Sequence, residues 1–360
     1  MTPIYKFEAY FLIVLYYMKF LFQIILKYDG VFLDIILYIL LIAMLVGKNN
    51  RDLIVVWIFA AISIITPTAR NIFLILLTTY LLGRIPLKNI VRMNIIMGLL
   101  VFSIMYALLK SGFVVSSQFL ENIHDDRDRW DWGYGNPNRF ALFTYSIIIN
   151  VYILIKSKTS ILFWGATLAV ALFVFHVTKA RSFVLSLSLL FMMSVFCSIF
   201  KSFSVKHRNL FMIIPFILFV IVVVFSILVD DFPILDLLFN HRLSQYNILV
   251  TNSSPFQYLI GNQLINDDEV TIDSSYIHLI FEAGILAVFI FLYLYFKTIK
   301  NLTEEDLYFI PLSCSLLAYG ISESLLVFIL NFGCMIYWSM LYYGYRKSLN
   351  NVPELGNNYI

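Results

Sequence analysis

Charged residues are scarce in this sequence of 360 residues. Asp, Glu, Lys and Arg make up 13% of the chain, while 61% of it is hydrophobic. A soluble globular protein has about 25% charged and about 45–50% apolar residues, so the composition excludes an ordinary water-soluble domain. The apolar runs are long enough for membrane helices, each of which needs about 20 residues. The sequence therefore predicts an all-α fold, a polytopic transmembrane helical bundle that forms one integral membrane domain over residues 1–360.

Cysteine and histidine are also few, and their positions exclude several kinds of site. Cys197, Cys314 and Cys334 lie inside apolar runs, without metal-ligand spacing or a disulfide pattern, and we interpret them as small buried apolar residues. No two of the five histidines are four residues apart. The sequence has no catalytic triad motif, no Gly-rich phosphate loop and no metal-binding cluster, so we predict no metal and no cofactor. A net charge of +3 without a basic stripe argues against nucleic acid as a partner.

About twelve apolar segments predict membrane spans. They cover roughly residues 8–27, 31–47, 52–67, 70–84, 90–110, 139–156, 160–178, 182–200, 209–229, 275–297, 305–323 and 325–344. The first run has no small-residue cleavage site, so we expect it to remain as a span rather than to be removed as a signal peptide.

The distribution of lysine and arginine predicts the orientation of these spans. If the N-terminus is inside, the inner connections together with Lys6 hold about 15 of the 25 basic residues. Both long loops, at 111–138 and 230–274, then lie outside, the larger of them just before the tenth span, and residues 345–360 form a cytoplasmic tail. We therefore expect a multi-pass protein of the cytoplasmic (inner) membrane with both termini cytoplasmic and its chemistry on the outer face.

The stretch "DDRDRWDWGYGNPNRFA" of the first outer loop is polar, aromatic and rich in turn residues. One interpretation is an aromatic belt at the membrane surface, including Trp132, followed by the turn that starts a helix. The other is a rim that binds sugars, in which Trp132 stacks on a sugar ring and Asn136 and Asn138 bind hydroxyl groups. Arg139 stands at the lip of the sixth span in both interpretations.

Two cations, Lys179 and Arg181, interrupt the apolar spans on the predicted outer side. Long basic side chains near a helix end can reach the lipid headgroups, which is one interpretation. The other is a phosphate site, because a guanidinium presents a planar fork that matches phosphate oxygens.

The second outer loop contains "FNHRLSQYNILV", in which Arg242 precedes a short amphipathic helix expected to lie along the membrane surface. "FQYLIGNQ" follows and predicts a turn. The loop ends in "IDSSYIHLIFEAGI", where Asp273 and Ser274 have the character of helix caps. Ionisable groups within the membrane are rare and usually functional, and Glu282 and Glu323 are two such groups.

These segments, in this order, resemble the O-antigen and capsular polysaccharide polymerases of the Wzy type, which share a superfamily with the O-antigen ligases. The similarity covers residues 130–330 and rests on "GYGNPNRFA", "TKARSFVLSL", "FNHRLSQYNILV", the glycine of "IGNQ" and "DSSYIHLIFEAGI". Residues 1–110 match only as hydrophobic spans. Ligases have a histidine where this chain has Asp273, and this departure argues against a ligase.

The resemblance implies a metal-independent membrane glycosyltransferase that polymerises undecaprenyl-pyrophosphate-linked oligosaccharide repeats into O-antigen or capsule. It implies that Arg181 and Arg242 stabilise the leaving pyrophosphate, and that Asp273 or His278 is the base. Arg139 would orient the sugar or a second lipid phosphate. The other predicted substrate-binding residues are Asn136, Asn138, Trp132, Lys179, Tyr276, Glu282 and Glu323. Membrane lipid, a flippase and a chain-length regulator of the same pathway are the implied partners.

Three other functions remain open from the sequence. A ligase of the same superfamily would move finished glycan onto an acceptor. A flippase or transporter for the lipid-linked oligosaccharide would suit the span count, but the two halves of the chain show none of the symmetry that many transporters have. A scaffold in a polysaccharide assembly complex would need neither Arg181 nor Arg242.

Overall fold

The structure is a computed structural model, and it is almost entirely helical. It describes residues 3–26, 37–38, 52–65, 67–83, 85–119, 128–155, 161–238, 242–261 and 273–349. In chain order the numbered helices are α1 Pro3–Leu26, α2 Asp52–Ile65, α3 Pro67–Leu82, α4 Leu87–Lys110, α5 Pro137–Ile155, α6 Ile161–Thr178, α7 Arg181–Ile199, α8 Lys201–Lys206, α9 Asn209–Met212, α10 Ile214–Ile227, α11 Pro233–Leu238, α12 Arg242–Asn252, α13 Pro255–Ile260, α14 Ser275–Ile277, α15 Ile285–Lys300, α16 Phe309–Ser322 and α17 Phe332–Leu349. Two-residue strands, β1 Gln118–Phe119 and β2 Arg129–Trp130, pair antiparallel.

Six helices in the described ranges are long and apolar enough to cross a membrane. They are Lys6–Leu26, Leu87–Lys110, Pro137–Ile155, Ile161–Thr178, Arg181–Ile199 and Asn209–Ile227. The outer helices are apolar on more than one face: in α6, Leu162, Leu168 and Leu172 are all exposed, as is typical of a helix that contacts lipid. The protein is thus an all-α, multi-pass membrane protein.

Several predicted spans differ from the helices observed. The predicted span at 31–47 lies outside the described residues, apart from the helical pair Leu37 and Tyr38. The predicted span at 275–297 is wrong in its first third, because the chain makes a π-helical turn over His278–Glu282 and breaks at Gly284 before α15 begins. The predicted span at 325–344 begins seven residues too early, since α17 starts at Phe332, and α17 also extends to Leu349, into the predicted tail.

The polar residues of the inner helices are used to join helices to one another. Ser315 of α16 donates to the carbonyl of Ser186 in α7 at 2.6 Å, and its hydroxyl is hydrogen-bonded to that of Tyr145 in α5 at 2.5 Å. Tyr16 of α1 is bonded to Thr78 of α3 at 2.6 Å. Because apolar burial contributes little between helices in lipid, such hydrogen bonds and close packing are the main source of interhelical stability.

Hydrogen bonds and ion pairs between loops show which helix ends lie together at each end of the bundle. At one end, Arg346 donates to the carbonyl of Gly83 (3.0 Å), Lys347 binds Asp306 (2.8 Å) and Arg208 donates to the carbonyl of Leu302 (2.5 Å). At the other end, the two loops predicted to be outer ones meet the break between α16 and α17. Asn136 and Asn138 of the first of these loops and Asp273 of the second line one cavity together with Glu323 of the break.

Candidate functional site

A cavity of about 500 Å³ lies at the end of the bundle where the predicted outer loops meet. Five charged side chains of the described part of the chain line it: Lys19, Arg70, Arg139, Asp273 and Glu323. They come from α1, α3, the start of α5, the end of the second outer loop and the break after α16. This volume and this convergence of polar groups from distant segments are typical of a small-molecule binding site.

Amide and aromatic side chains fill the wall between the charges. The amides are Gln23, Asn71, Asn136, Asn138 and Asn331. The aromatic rings include Phe20, Phe143 and Phe332, which pack on one another at centroid distances of 5.3–6.0 Å. Amides offer both donors and acceptors, so the cavity can bind a ligand that has hydroxyl groups as well as negative charge.

Arg242 and Asp273 form an ion pair at the edge of this cavity. Nη2 of Arg242 is 2.8 Å from Oδ2 of Asp273, and Nη1 donates to the carbonyl of Ser322 at 2.6 Å. Both side chains keep some solvent contact, with 19% and 28% of their surface exposed. One guanidinium thus ties the start of α12 to the end of α16 and orients the carboxylate that faces the cavity.

Tyr246, one turn after Arg242, supports the same corner. It is buried, and its hydroxyl oxygen accepts a hydrogen bond from the backbone of Ser274 at 3.1 Å. Burial raises the pKa of Tyr246 to about 12, against a smaller opposing effect of the Arg242 charge. The phenol therefore stays neutral at physiological pH and leaves the ion pair undisturbed.

The "NPN" sequence forms the start of α5 and places two amides on the cavity. The side-chain oxygen of Asn136 accepts from the backbone N–H of Asn138 at 2.7 Å, and Pro137 is the first helical residue. This is an N-cap followed by proline, an arrangement that satisfies the free amides of a first turn. Asn136, Asn138 and Arg139 are therefore brought together at the cavity by the turn itself.

The loop before α5 is held by two buried charged residues. The carboxylate of Asp131 accepts from the backbone N–H groups of Ser117, Gly133 and Gly135 at 2.8, 2.9 and 3.1 Å. Arg129 is only 4% exposed, and it donates to Oδ1 of Asn138 at 2.5 Å and to the carbonyl of Thr178 at 2.9 Å. Residues 129–135 are thus tied to their surroundings by hydrogen bonds, and Arg129 fixes the orientation of one cavity amide.

Glu323 lies at a break in the helical structure. The nine residues from 323 to 331 between α16 and α17 are not helical, although Leu325, Leu326 and Val327 are fully buried. Non-helical backbone inside a membrane protein must find partners within the protein or line a cavity. Here Ser275 accepts from the N–H of Leu326 at 3.0 Å, and the indole of Trp338 donates to its carbonyl at 2.9 Å.

Three predicted site residues lie in or beside the predicted outer loops but are not among the residues that line the cavity. Arg181 is exposed at the start of α7 and, among the residues that the structure describes, has no side-chain partner. Lys179 has a φ of +51° and its ammonium lies 6.0 Å from the ring centre of Phe175. Trp132 stacks on Phe140 at 5.4 Å and also contacts Phe173, so its ring is used in packing and is not available to a sugar in the cavity.

In the segment after Asp273, the predicted site residues Tyr276, His278 and Glu282 are buried in the protein. Tyr276 is fully buried and donates to the carbonyl of Leu317 at 2.9 Å. Nδ1 of His278 is in close hydrogen-bonding contact with Oε2 of Glu282, and the His278 ring packs edge-on against Phe328. Ser274 makes no side-chain cap on α14. Of this segment's predicted residues, the structure brings only Asp273 to the cavity lining.

Three basic residues were not predicted from the sequence: Lys19 and Arg70, which line the cavity, and Arg129, which orients the cavity residue Asn138. Lys19 is a lone cation inside the first apolar run, and Arg70 follows the break "TPTA". An ionisable residue within a span is a functional candidate, so this signal was present for Lys19. The predicted turn at "FQYLIGNQ" is corrected too: its first part belongs to the short helix α13, which ends at Ile260 with Gly261 as its C-cap.

The fold and the cavity define a class, a multi-pass helical membrane protein with a charged and amide-lined cavity at one end of its bundle. No family model matches the chain, and neither a curated protein nor a solved structure matches it.

Proposed function

We propose that the protein is a membrane glycosyltransferase that polymerises undecaprenyl-pyrophosphate-linked oligosaccharide repeats into O-antigen or capsular polysaccharide. The observation that carries the proposal is the cavity itself. It combines cations for a phosphate group, amides and aromatic rings for sugars, and two carboxylates, Asp273 and Glu323. The resemblance of residues 130–330 to Wzy-type polymerases supports the same reaction.

In this reaction a hydroxyl of the acceptor repeat attacks the anomeric carbon of the growing chain. The bond from that carbon to the lipid pyrophosphate breaks, and the pyrophosphate leaves with the bonding electrons. Arg242 lies at the edge of the cavity, where its fixed positive charge can stabilise the leaving oxygens. Each such preorganised contact contributes about 2.7–4 kcal/mol to the transition state in well-studied enzymes.

The proton of the attacking hydroxyl needs an acceptor. Among the described residues, Asp273 and Glu323 are the carboxylates that line the cavity, and Asp273 is held in one orientation by Arg242. We assign Asp273 as the base and Glu323 as a sugar-binding residue. His278, the other predicted base, is already bound to Glu282 and is not among the residues that line the cavity.

The proposal includes the finer topology. About twelve spans, cytoplasmic termini and an outward-facing cavity would place the reaction on the outer face of the cytoplasmic membrane. There the repeat arrives from a flippase, and a chain-length regulator acts on the product.

Removing the negative charge of the cavity tests the proposed chemistry. Asp273→Asn should lower polymer formation by about 100-fold or more, because general base catalysis contributes about 10²–10⁴-fold. Glu323→Gln should lower it less. The measurement is the polymer content of cells that carry each variant as the only copy, with the protein level checked by immunoblot.

Glu305→Gln is the matched control, since Glu305 is exposed at the opposite end of the bundle. Its polymer should be unchanged. Wild-type amounts of polymer from Asp273→Asn would remove Asp273 from the mechanism.

A flippase for the same lipid-linked repeat is the second candidate. The observation in its favour is the buried non-helical stretch from 323 to 331, because transporters commonly bind their substrate at interrupted helices. A flippase mutant would leave single repeats on the inner leaflet, whereas a polymerase mutant would leave them on the outer leaflet.

A further inference from the structure

The N-terminal quarter of the chain contributes charge to the cavity, although its sequence suggests only apolar spans. Lys19 lies in α1 and is 8% exposed. The helix is fixed at this height by two hydrogen bonds, from Tyr16 to Thr78 (2.6 Å) and from Tyr17 to the carbonyl of Asn94 (3.0 Å). A buried ammonium in a membrane helix is costly and is usually functional, and the structure puts this one in the cavity wall with Arg70 of α3.

Three helices begin at the cavity. Residues of the first turn of α3 (Arg70), of α5 (Arg139) and of α17 (Phe332) all line it. A helix N-terminus carries a partial positive charge, equivalent to about half an elementary charge, which favours an anion nearby. The last turn of α1 (Gln23) and the end of α16 (Glu323) also reach the cavity. The partial charges of these helix ends therefore partly cancel, and the charged side chains decide the sign of the potential.

The formal charges of the side chains at the cavity favour the binding of an anion. With Arg242, the cavity has four cationic side chains and two carboxylates from the part of the chain that the structure describes, which sum to a formal charge of +2. One of the carboxylates, Asp273, is already paired with Arg242. Among the described residues of the cavity wall and its edge, basic side chains thus outnumber carboxylates by two.

We propose that Lys19 and Arg70, together with Arg139, form a second oxyanion subsite, distinct from the Arg242–Asp273 pair, and that it binds a phosphate or pyrophosphate group. Its identity as the site for the pyrophosphate of a second lipid-linked substrate rests on the proposed function. The binding of a phosphate-type anion does not rest on the proposed function, because this binding is inferred from the charges and the cavity alone.

The test is the binding of inorganic pyrophosphate to the full-length protein in lipid nanodiscs. Binding is measured as the shift that pyrophosphate causes in the thermal unfolding midpoint of the protein. Pyrophosphate should stabilise the wild type. Arg70→Gln and Lys19→Met should each weaken the apparent affinity by at least about tenfold, because a charge-assisted hydrogen bond is lost. Lys19→Arg should retain most of the affinity, since it keeps the positive charge.

Arg92→Gln is the matched control, because Arg92 is exposed on α4 and is not part of the cavity wall; it should bind as the wild type does. Arg70 is also exposed, so Arg70→Gln keeps the test usable if Lys19→Met does not fold. Glucuronate is the second probe, and equal stabilisation by this sugar carboxylate would overturn the phosphate assignment.

The subsite is also overturned if pyrophosphate does not stabilise the wild type, or if Arg70→Gln and Lys19→Met bind it unchanged. These results are separate from the fate of the polymerase proposal. If both variants lose pyrophosphate binding but deletion of the protein leaves polymer intact, the subsite is supported and the polymerase proposal is rejected. If both variants bind pyrophosphate normally but the protein is required for polymer, the subsite is rejected and the polymerase proposal is supported.

Discussion

Arg242 joins two distant segments with the two terminal nitrogens of one guanidinium. Its partners are the carboxylate of Asp273 and the carbonyl of Ser322, at 2.8 and 2.6 Å. A lysine ammonium is a single point of charge on a flexible chain and does not reproduce the planar fork. The geometry of the guanidinium, and not only its charge, should therefore matter for activity.

Arg242→Lys is accordingly expected to lower polymer formation at least about tenfold even though the charge is kept, because one of two charge-assisted bonds is lost. Polymer per unit of protein in cells is the measurement. Arg208→Lys is the control, since Arg208 also donates to a carbonyl, that of Leu302, but at the opposite end of the bundle. An Arg242→Lys variant as active as the Arg208→Lys variant would contradict the role of the fork.

Single residues could be predicted from the sequence where a local turn determines their position. Asn136 and Asn138 flank a proline at a helix start, and this local chemistry brings them to the cavity. Arg129 could not be separated from the neighbouring charges of "DDRDR", because its burial depends on the carbonyl of Thr178, 49 residues away. His278 and Tyr276 have the right composition for a site, but the direction of their side chains depends on a π-helical turn that leaves no clear signal in the sequence.

At the scale of elements, the close crossing of two short segments depends on two glycines. Gly261 has a φ of +96°, and a Cβ there would lie 2.0 Å from the carbonyl oxygen of Glu282. Gly284 has a φ of +85°, and its Cβ would lie 2.5 Å from the carbonyl oxygen of Leu259. The end of α13 and the π-helical turn therefore pack backbone against backbone, where no side chain fits.

Gly261→Ala should destabilise the protein by at least about 2 kcal/mol, from the left-handed backbone and the overlap with Glu282 together. A lower thermal unfolding midpoint in detergent is the readout. The control is Gly165→Ala in α6, where a Cβ meets nothing within 4 Å and where alanine is the better helix former. If the two variants unfold at the same temperature, the crossing is not as tight as the structure has it.

Long apolar helices such as α4 and α5 were predictable within a few residues, because lipid requires a run of apolar residues of a fixed length. The break from 323 to 331 was not, since "LLVFILNF" is as apolar as a span. In this break the backbone of Leu326 is hydrogen-bonded to two side chains, Ser275, which is 51 residues away in sequence, and Trp338, which is 12 residues away. Hydropathy reports burial but does not report which hydrogen-bond partner a buried backbone group finds.

At the scale of the whole molecule, the loops at the two ends of the bundle should lie on opposite sides of the membrane. Asn252 is exposed at the end of α12 and Glu305 at the other end of the bundle. The three native cysteines are buried, so the unmodified chain should react little with a maleimide. This makes single added cysteines suitable reporters of sidedness.

A membrane-impermeant maleimide should label Asn252→Cys in intact cells and Glu305→Cys only after the membrane is opened. The prediction follows from the excess of lysine and arginine in the loops around Glu305. Labelling of both positions from one side would contradict the bundle topology. Labelling in the reverse order would place the cavity on the cytoplasmic face and reject an outer-face polymerase.

The measurement that tests the central claim most directly is an analysis of the lipid-linked glycans in cells that lack this protein. The polymerase proposal predicts that polymer is lost and that single lipid-linked repeats accumulate on the outer leaflet. Repeats held on the inner leaflet would instead indicate a flippase, and full-length polymer that stays on its lipid carrier would indicate a ligase. Unchanged polymer on its normal acceptor would contradict the account altogether.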